Sequence, residues 1–316
     1  MVDLMGKSKY CFMMSAFILI ACAVGLIVNG VVLDIQFQGG TIMQIEMPDE
    51  DFDTELAAHI VKSAIGKTAT VNRSSTFNAE DEDDRIYLMV LNIASDETLT
   101  DDERMAVMDA LRKEFNIAEN ANTYVNSVEP FISEQFRMNA VKAIAISSVL
   151  IVLYVWLRFK SMHGLSAGVF AVLALLHDVV AMFTVYVIFR IPLNESFVAA
   201  MLTIIGYSIN DTIVIYDRIR ENMKLMPKAT YRELVNKSVL QSLTRSINTS
   251  ITTLIAVLTL LVFSVIYNIQ SIREFTMPLV VGIISGVYST LFIASPLYMM
   301  WQERKFRKNA AKRAAG

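Results

Sequence analysis

The sequence predicts an α-helical polytopic membrane protein with six transmembrane helices and a ferredoxin-like α+β domain between the first and second spans. Hydrophobic residues make up 54% of the 316 residues and the mean hydropathy is +0.46, which is too apolar for a soluble globular domain. The apolar residues fall into six long runs. One polar stretch of about 100 residues interrupts them, which is long enough to form a hydrophobic core of its own.

Each apolar run has about the 20 residues that a helix needs to cross a hydrocarbon core of ~30 Å. The runs cover residues 12–33, 139–157, 164–188, 196–216, 249–268 and 276–300. The first run follows Lys7 and Lys9, as the hydrophobic region of a signal peptide would. However, that region has only about 7 to 15 residues in a signal peptide, and no small-x-small cleavage site closes this run. We therefore predict a retained membrane anchor.

These runs divide the chain into four parts. They are the N-terminus with the first helix at 1–35, the polar domain at 36–137, helices two to six at 138–303, and a basic tail at 304–316. A loop at about 217–247 lies between the fourth and fifth spans. Within it, apolar residues recur on one side of a helix over residues 224–243, which predicts an amphipathic helix along the inner membrane interface.

The distribution of charge predicts the orientation in the membrane. The segment from Asp34 to Arg137 has a net charge of −14. The short segments on the other side are basic and contain Lys7, Lys9, Arg158, Lys160, the cations of 218–237 and those of 304–313. The positive-inside rule therefore predicts a multi-pass protein of the cytoplasmic (inner) membrane, with both termini in the cytoplasm and the acidic domain outside.

The polar domain has the element order β–α–β–β–α–β, which is typical of a ferredoxin-like fold. Strands are expected at 41–47, 68–77, 85–93 and 123–128, and helices at 51–65 and from Thr100 onward. Helical spacing predicts inward positions at Phe52, Leu56, Ile60, Ala64, Met105, Met108, Leu111 and Phe115. Thr100 stands three residues before Glu103, the pattern of a capping box. Gly39 and Gly40 predict a tight turn before the first strand.

Several kinds of site are not expected in this domain. Its residues show no His, Cys and carboxylate cluster at metal spacing, and the acidic run at 79–84 lacks the alternation and the glycine of a calcium-binding loop. Cys11 and Cys22 would lie about 16 Å apart along the first helix, too far for a disulfide. We therefore expect no enzyme activity, no cofactor, no metal site and no nucleic-acid partner. The domain is expected to contact something outside the membrane.

Three charged residues within or beside the spans are the candidate functional residues, because a charge in a span costs at least ~2.5 to 3.5 kcal/mol. Helical rise places Asp178 roughly 21 Å and Asp211 roughly 8 Å above the cytoplasmic edge. Arg245 begins near that edge, and its long side chain can reach upward. A pair between Asp211 and Arg245 is therefore geometrically possible, whereas Asp178 lies too high to join it.

Polar neighbours are expected to support these charges. Tyr207 and Ser208 lie on the helical face of Asp211, with Asn210 next to it, and Thr249 belongs to a polar first half of the fifth span. Two interpretations remain open for Asp211 and Arg245: a static buried pair, or a carboxylate that changes protonation as a proton crosses. The same two interpretations apply to His177 and Asp178. Gly282 and Gly286 form a GxxxG pattern, which predicts close helix packing.

Four segments resemble the SecF family, whose members are the smaller membrane subunits of the SecDF accessory complex of protein export. They are ALLHDVVAM, SFVAAMLTIIGYSINDTIVIYDRIREN, SLTRSINTSITTL and FIASPL. The layout of one span, an exported domain and five spans agrees over the whole chain. The resemblance implies membership of the resistance-nodulation-division superfamily, pairing with SecD, association with the SecYEG channel, and use of the proton motive force to help pull unfolded polypeptides outward. The resemblance also implies that the family's essential membrane aspartate corresponds to Asp211, and that the family's arginine in the following span corresponds to Arg245.

Two positions depart from the family pattern. Gln36 stands where the family usually has an aspartate in a DFxGGT turn, and Glu129 replaces the glycine of an SVGP motif before the second span. Because Gln36 has no carboxylate, the role of the family's aspartate in this turn is in doubt for this chain. The loss of the glycine at Glu129 predicts a less flexible junction between the polar domain and the second span. Two other functions remain possible: an independent half-transporter of the same superfamily that exports a small molecule or lipid, and a structural scaffold for the channel.

Overall fold

A computed structural model of the chain describes residues 3–77, 85–94, 99–118, 121–128, 130–162, 164–267 and 269–314. The elements in chain order are α1 (Ser8–Asn29), α2 (Ile35–Gln38), β1 (Gly40–Met47), α3 (Thr54–Ile65), β2 (Ala69–Phe77), β3 (Arg85–Ala94), α4 (Asp101–Phe115), β4 (Thr123–Val128), α5 (Pro130–Arg158), α6 (Gly164–Phe189), α7 (Glu195–Leu225), α8 (Tyr231–Ile266), α9 (Gln270–Ser289) and α10 (Ser295–Ala314). A π-helical turn, Thr290–Ala294, joins α9 to α10.

The six predicted apolar runs are confirmed as six helices that are long and apolar enough to cross a membrane. These are α1, α5, α6, α7, α8 and the continuous run from α9 into α10. The chain therefore has the form of a multi-pass membrane protein. α6, α7 and α9 form the centre, where Met182, Ile204 and Ile283 are fully or almost fully buried. The outward faces of α1, α5 and α8 carry large exposed apolar side chains, as lipid contact requires.

The polar stretch folds into a four-stranded antiparallel sheet in the order β2-β3-β1-β4. α3 and α4 contribute Val61, Val107 and Leu111 to a core with strand residues such as Ile45 and Leu91, all of which are buried. The predicted order of strands and helices is found in the structure. The turn before β1 needs glycine, because Gly39 and Gly40 have φ angles of +84° and +134°.

The inward faces of the two helices of this domain differ in part from the prediction. α3 begins only at Thr54, because the Asp53 side chain accepts hydrogen bonds from the backbone N–H groups of residues 55 and 56 and caps the helix there. The helix buries Ala57 and Val61, one position on from the predicted Leu56 and Ile60, so Leu56 faces outward with 39% exposure. In α4, Met105 is 66% exposed. The capping box of Thr100 and Glu103 is confirmed.

The loop between the fourth and fifth spans also differs from the prediction of a separate interfacial helix. α7 continues to Leu225, and α8 begins already at Tyr231 and runs unbroken into the membrane. The turn contains Pro227, and a capping box of Thr230 and Glu233 starts the new helix. Nothing within α8 breaks it, so the amphipathic segment and the span form one helix of 36 residues.

Two segments discussed in the sequence analysis lie outside the described residues: the whole acidic run at 79–84, and residue 129. The two cysteines are both free thiols in the structure, in agreement with their spacing.

Candidate functional site

The central helices approach closely because small residues line their contact. A Cβ atom on Gly282 of α9 would lie 2.5 Å from Cγ1 of Ile204 on α7. A Cβ atom on Gly286 would lie 3.2 Å from Cβ of Ser208. The predicted GxxxG pattern therefore brings α9 against α7, as close packing in membranes requires. This contact places hydroxyl groups of both helices next to α6.

Asp178 of α6 lies in a cage of three serine hydroxyls. Ser208 of α7 and Ser289 of α9 each donate to Oδ2 at 2.8 Å, and Ser285 donates to Oδ1 at 2.7 Å. The carboxylate is fully buried. Three hydrogen bonds from two other helices satisfy a charge that would otherwise be costly inside the bundle. Asp178 therefore joins α6, α7 and α9.

His177 lies beside this cage but forms no hydrogen bond to Asp178. Its Nδ1 atom is 3.7 Å from Oδ1 of Asp178, and neither ring nitrogen has a hydrogen-bond partner among the described residues although both are buried. The ring instead packs on Tyr288, with 5.6 Å between the ring centroids. Tyr288 donates its hydroxyl hydrogen to the Cys11 carbonyl at 2.5 Å, which links α9 to α1.

Asp211 occupies a different environment, one helical turn beyond Ser208. Its Oδ1 atom accepts a hydrogen bond from Ser246 of α8 at 2.5 Å. Its Oδ2 atom is buried and has no hydrogen-bond partner among the described residues. Asp211 is therefore a half-satisfied carboxylate, in contrast to Asp178, and it is partly buried between α7 and α8.

The structure does not bring Arg245 into a salt bridge with Asp211. Within the described part of the chain, no ion pair within 4.0 Å involves either residue. Successive residues of a helix point about 100° apart, and it is Ser246, the next residue of α8, that faces Asp211. Arg245 is exposed and lines a cavity at the end of α7. Helical rise gives Asp211 and Arg245 similar heights, but it does not fix the direction in which their side chains point.

The supporting polar residues lie elsewhere than predicted. Ser208 serves Asp178 rather than Asp211, and the Tyr207 hydroxyl donates to Ser250 of α8 at 3.3 Å. Asn210 is exposed. Thr249 donates to the backbone carbonyl of Arg245 at 2.9 Å within its own helix. Tyr207 still ties α7 to α8 close to Asp211, so it supports the helix pair rather than the carboxylate.

Sequence reasoning missed several polar contacts of the bundle. Ser246, Ser285 and Ser289 donate hydrogen bonds to the two aspartates, whereas the sequence predicted only close helix packing around Gly282 and Gly286. The Thr212 hydroxyl lies 3.0 Å from that of Thr290, at the start of the π-helical turn. Such turns occur often at functional sites. The signal that could have predicted these contacts is the presence of serine or threonine residues in other spans, since their hydroxyls can donate to an aspartate within the bundle.

A half-buried glutamate was also missed. Glu274 of α9 accepts hydrogen bonds from Gln270, at 2.6 Å, and from the Asn194 side chain. It fell just outside the predicted last span at 276–300, which is why it was not counted among the membrane charges. Among the described residues, no group of three or more His, Cys, Asp or Glu side chains could hold a metal ion.

Comparison with known proteins shows the family. The model of the family "Protein export membrane protein SecD/SecF, C-terminal" matches residues 107–304. The protein translocase subunit SecF of Alicyclobacillus acidocaldarius is 35% identical over 97% of this chain and 94% of its own length. The protein translocase subunit SecDF of Bacillus subtilis is 33% identical over 98% of this chain but only 39% of its own length.

Solved structures agree with these relatives. The crystal structure of SecDF from Thermus thermophilus, a translocon-associated membrane protein, superimposes with a TM-score of 0.78 at 30% identity. It covers 96% of this chain and 39% of the SecDF chain. A second SecDF structure, in a super-membrane-facing form, gives a TM-score of 0.67 at 32% identity, with 98% and 40% coverage. The chain therefore spans about two fifths of the fused SecDF proteins and belongs to the SecF family of protein translocase subunits.

Proposed function

We propose that this SecF subunit couples proton flow to protein translocation through Asp211, which binds and releases the proton, with Arg245 as its movable counter-charge. The observation that carries the proposal is the difference between the two membrane aspartates. Asp178 accepts three hydroxyl hydrogen bonds, whereas Asp211 accepts one and keeps a buried oxygen without a partner. A half-satisfied carboxylate in a membrane gains most from a proton or a cation.

Arg245 supplies the second part of the mechanism. It forms no salt bridge within 4.0 Å among the described residues, and its long side chain can move between the cavity below and the level of Asp211. When Asp211 is ionised, the guanidinium stabilises the carboxylate; when Asp211 takes up a proton, this attraction disappears and the arginine returns to the cavity. Each proton thus changes the attraction between α7 and α8.

Asp178 has a positioning role in this proposal. Its three serine donors hold α6, α7 and α9 in one register, and Ser208 lies on α7 only three residues before Asp211. The fixed group of helices provides the support against which α8 can move. His177 packs beside this support through its ring.

A partner chain is expected on the face of α7 and α8. Thr203, Asn210, Asn248, Thr249 and Thr252 are polar and exposed within the two spans. The three threonine hydroxyls donate to carbonyls of their own helices. Lipid tails offer no hydrogen bonds to the side-chain amides of Asn210 and Asn248, so another protein surface is their favourable neighbour. The relatives in which the SecF-like part is fused to a longer SecDF chain support SecD as this partner. Their names as protein translocase subunits also favour this role over an independent exporter.

The sheet domain completes the proposed complex. Its βαββαβ order and its strand order support a ferredoxin-like fold, and the charge distribution supports a position outside the cytoplasmic membrane, with both termini inside. There it would face emerging unfolded polypeptides near the SecYEG channel. The domain would transmit the helix movement to these chains, and no enzyme chemistry is needed.

The proposal is tested in membrane vesicles that carry SecYEG, SecD and either the natural subunit or the variant Asp211→Asn at equal amounts. Glu195→Gln is the matched control, because it removes an exposed carboxylate from the first turn of the same helix. We expect Asp211→Asn to abolish the stimulation of export by the proton gradient, and Glu195→Gln to preserve it. Undiminished stimulation with Asp211→Asn would contradict the coupling role.

A further inference from the structure

A cavity of about 520 Å³ lies between the ends of α5, α7 and α8, at the end of the bundle that carries both termini. Its charged lining consists of Arg158, Asp217, Arg218, Arg220, Glu221, Lys224 and Arg245. Five cationic and two acidic side chains leave an excess of three positive charges. The positive-inside rule accounts for cations at this end of the bundle, and the proposed proton transfer uses Arg245, but neither explains why five cations converge on one cavity.

The two acidic residues are already occupied by three of the cations. Asp217 lies between Arg158, at 3.1 Å, and Arg220, at 2.8 Å. Glu221 pairs with Arg218 at 2.5 Å. Lys224 and Arg245 are exposed and form no ion pair within 4.0 Å among the described residues. The cavity therefore presents two cations to which an anion can bind without displacing an existing pair.

The arginines at the cavity are held in place before any ligand binds. The guanidinium carbons of Arg158 and Arg220 lie 5.4 and 5.7 Å from the ring centroid of Phe159, which is fully buried. Arg218 also donates to the Gln241 side chain at 2.8 Å. Guanidinium groups fixed in this way match the oxygens of a phosphate well, since little side-chain entropy is lost on binding.

We propose that this cavity binds the phosphodiester headgroup of an anionic phospholipid. The cavity is lined by residues of three spans, α5, α7 and α8, and Val214 contributes an apolar wall. Above it, Leu153 and Leu157 of α5 and Ile251 of α8 are exposed apolar side chains along which acyl chains can lie. Basic pockets between helices at this depth are typical of binding sites for anionic headgroups. A free phosphate ion would use the cations but not the apolar helix faces.

This inference goes beyond the proposed function, because headgroup binding requires only the charges and the cavity. It would hold whether or not Arg245 exchanges with Asp211. A headgroup bound here would keep the guanidinium of Arg245 in the cavity, so the lipid composition would set how readily Arg245 moves toward Asp211.

The test uses the full-length subunit, extracted with its membrane complex, and counts the lipids that remain bound by native mass spectrometry. The probes are phosphatidylglycerol, phosphatidylethanolamine and excess inorganic phosphate. The double variant Lys224→Gln with Arg245→Gln removes the two unpaired cations. Lys7→Gln with Lys9→Gln is the matched control, because it removes two exposed cations at the same end of the bundle but outside the cavity.

We expect the natural protein and the control to retain phosphatidylglycerol in preference to phosphatidylethanolamine. The cavity variant should retain about thirtyfold less phosphatidylglycerol, since each of the two cations near a membrane surface contributes about 1 kcal/mol. Equal retention by the cavity variant, an equal loss in the control, or displacement of the lipid by inorganic phosphate would each overturn the proposal. Because the readout is lipid mass, its failure is separate from a failure of proton coupling.

Discussion

Ser208 of α7 donates its hydroxyl to the carboxylate of Asp178 on α6 at 2.8 Å, although it lies only one turn from Asp211 on its own helix. The serine thus belongs to the fixed centre of the bundle, and the neighbouring aspartate belongs to the contact with α8. Asp178 thus contacts α7 only one turn from Asp211, nearer than the heights estimated from helical rise suggested, yet the two carboxylates have opposite surroundings. The contribution of the serine contacts to stability can be measured.

The serine cage should contribute to stability. We expect Ser289→Ala to lower the free energy of unfolding by about 1 to 3 kcal/mol, because a hydrogen bond to a charged acceptor is lost in a buried site. Ser264→Ala is the control: Ser264 is equally buried, but its hydroxyl donates only to Leu261 of its own helix. Unfolding by graded addition of a denaturing detergent measures both changes. A loss of the same size in the control would contradict the cage.

A double-mutant cycle tests the same contact more strictly. If Ser289 acts through Asp178, Ser289→Ala should have almost no further effect in an Asp178→Ala background, because the acceptor is already absent. The same unfolding measurement applies. Additive losses would show that Ser289 stabilises the bundle by another contact.

Glycine substitutions test the close approach of α9 to α7. We expect Gly282→Ala to lower the free energy of unfolding by about 1 to 3 kcal/mol, because the new methyl group would overlap with the buried Ile204. Gly206→Ala is the matched control, since a Cβ atom there meets nothing within 4 Å. The control should be neutral or should stabilise the helix by up to about 1 kcal/mol. Equal losses would show that the alanine itself, and not the contact, is responsible.

The start of α4 should depend on pH. Lys67, which forms a hydrogen-bonded ion pair with Glu103 at 2.7 Å, and the backbone N–H of Thr100 hold the pKa of the Glu103 carboxyl below its ordinary value of 4.5. A depressed folded-state pKa contributes stability above the unfolded value, and this contribution disappears as the pH falls through the folded value. Below about pH 4.5 the capping box should therefore weaken.

Hydrogen exchange at the Thr100 amide measures this effect in the full chain. At each pH the natural protein is compared with Glu103→Gln, which keeps an acceptor but loses the charge. We expect stronger protection in the natural protein near neutral pH, and a difference that vanishes in acid. Asp102→Asn removes a charge from the same first turn and should leave the Thr100 amide unchanged. A difference that persists in acid would rule out the charge of Glu103 as the cause.

Sequence alone predicted the six spans and the strand and helix order because periodicity and length are local properties. The serine cage was not predicted, since it joins three helices that are distant in the chain. For the same reason the predicted pair of Asp211 and Arg245 is not formed as a salt bridge in this conformation: helical rise gives a height, but the direction of a side chain depends on the neighbouring helix. The predicted inward face of α3 was off by one position, because the helix buries Ala57 and Val61 against the sheet and Leu56 faces outward.

The polar face of α7 and α8 gives the last prediction, which concerns the partner. Asn248 is exposed on α8, three residues beyond Arg245 and inside the span. We expect Asn248→Trp to prevent co-purification of SecD, because a large ring would occupy the space of the partner helix. Val149→Trp on α5 is the control, since Val149 is 66% exposed on an apolar face where lipid tolerates a larger side chain. Both sites are exposed, so both variants should fold, and thermal unfolding in detergent checks this. Recovery of SecD with Asn248→Trp in the same amount as with Val149→Trp would place the partner on another face.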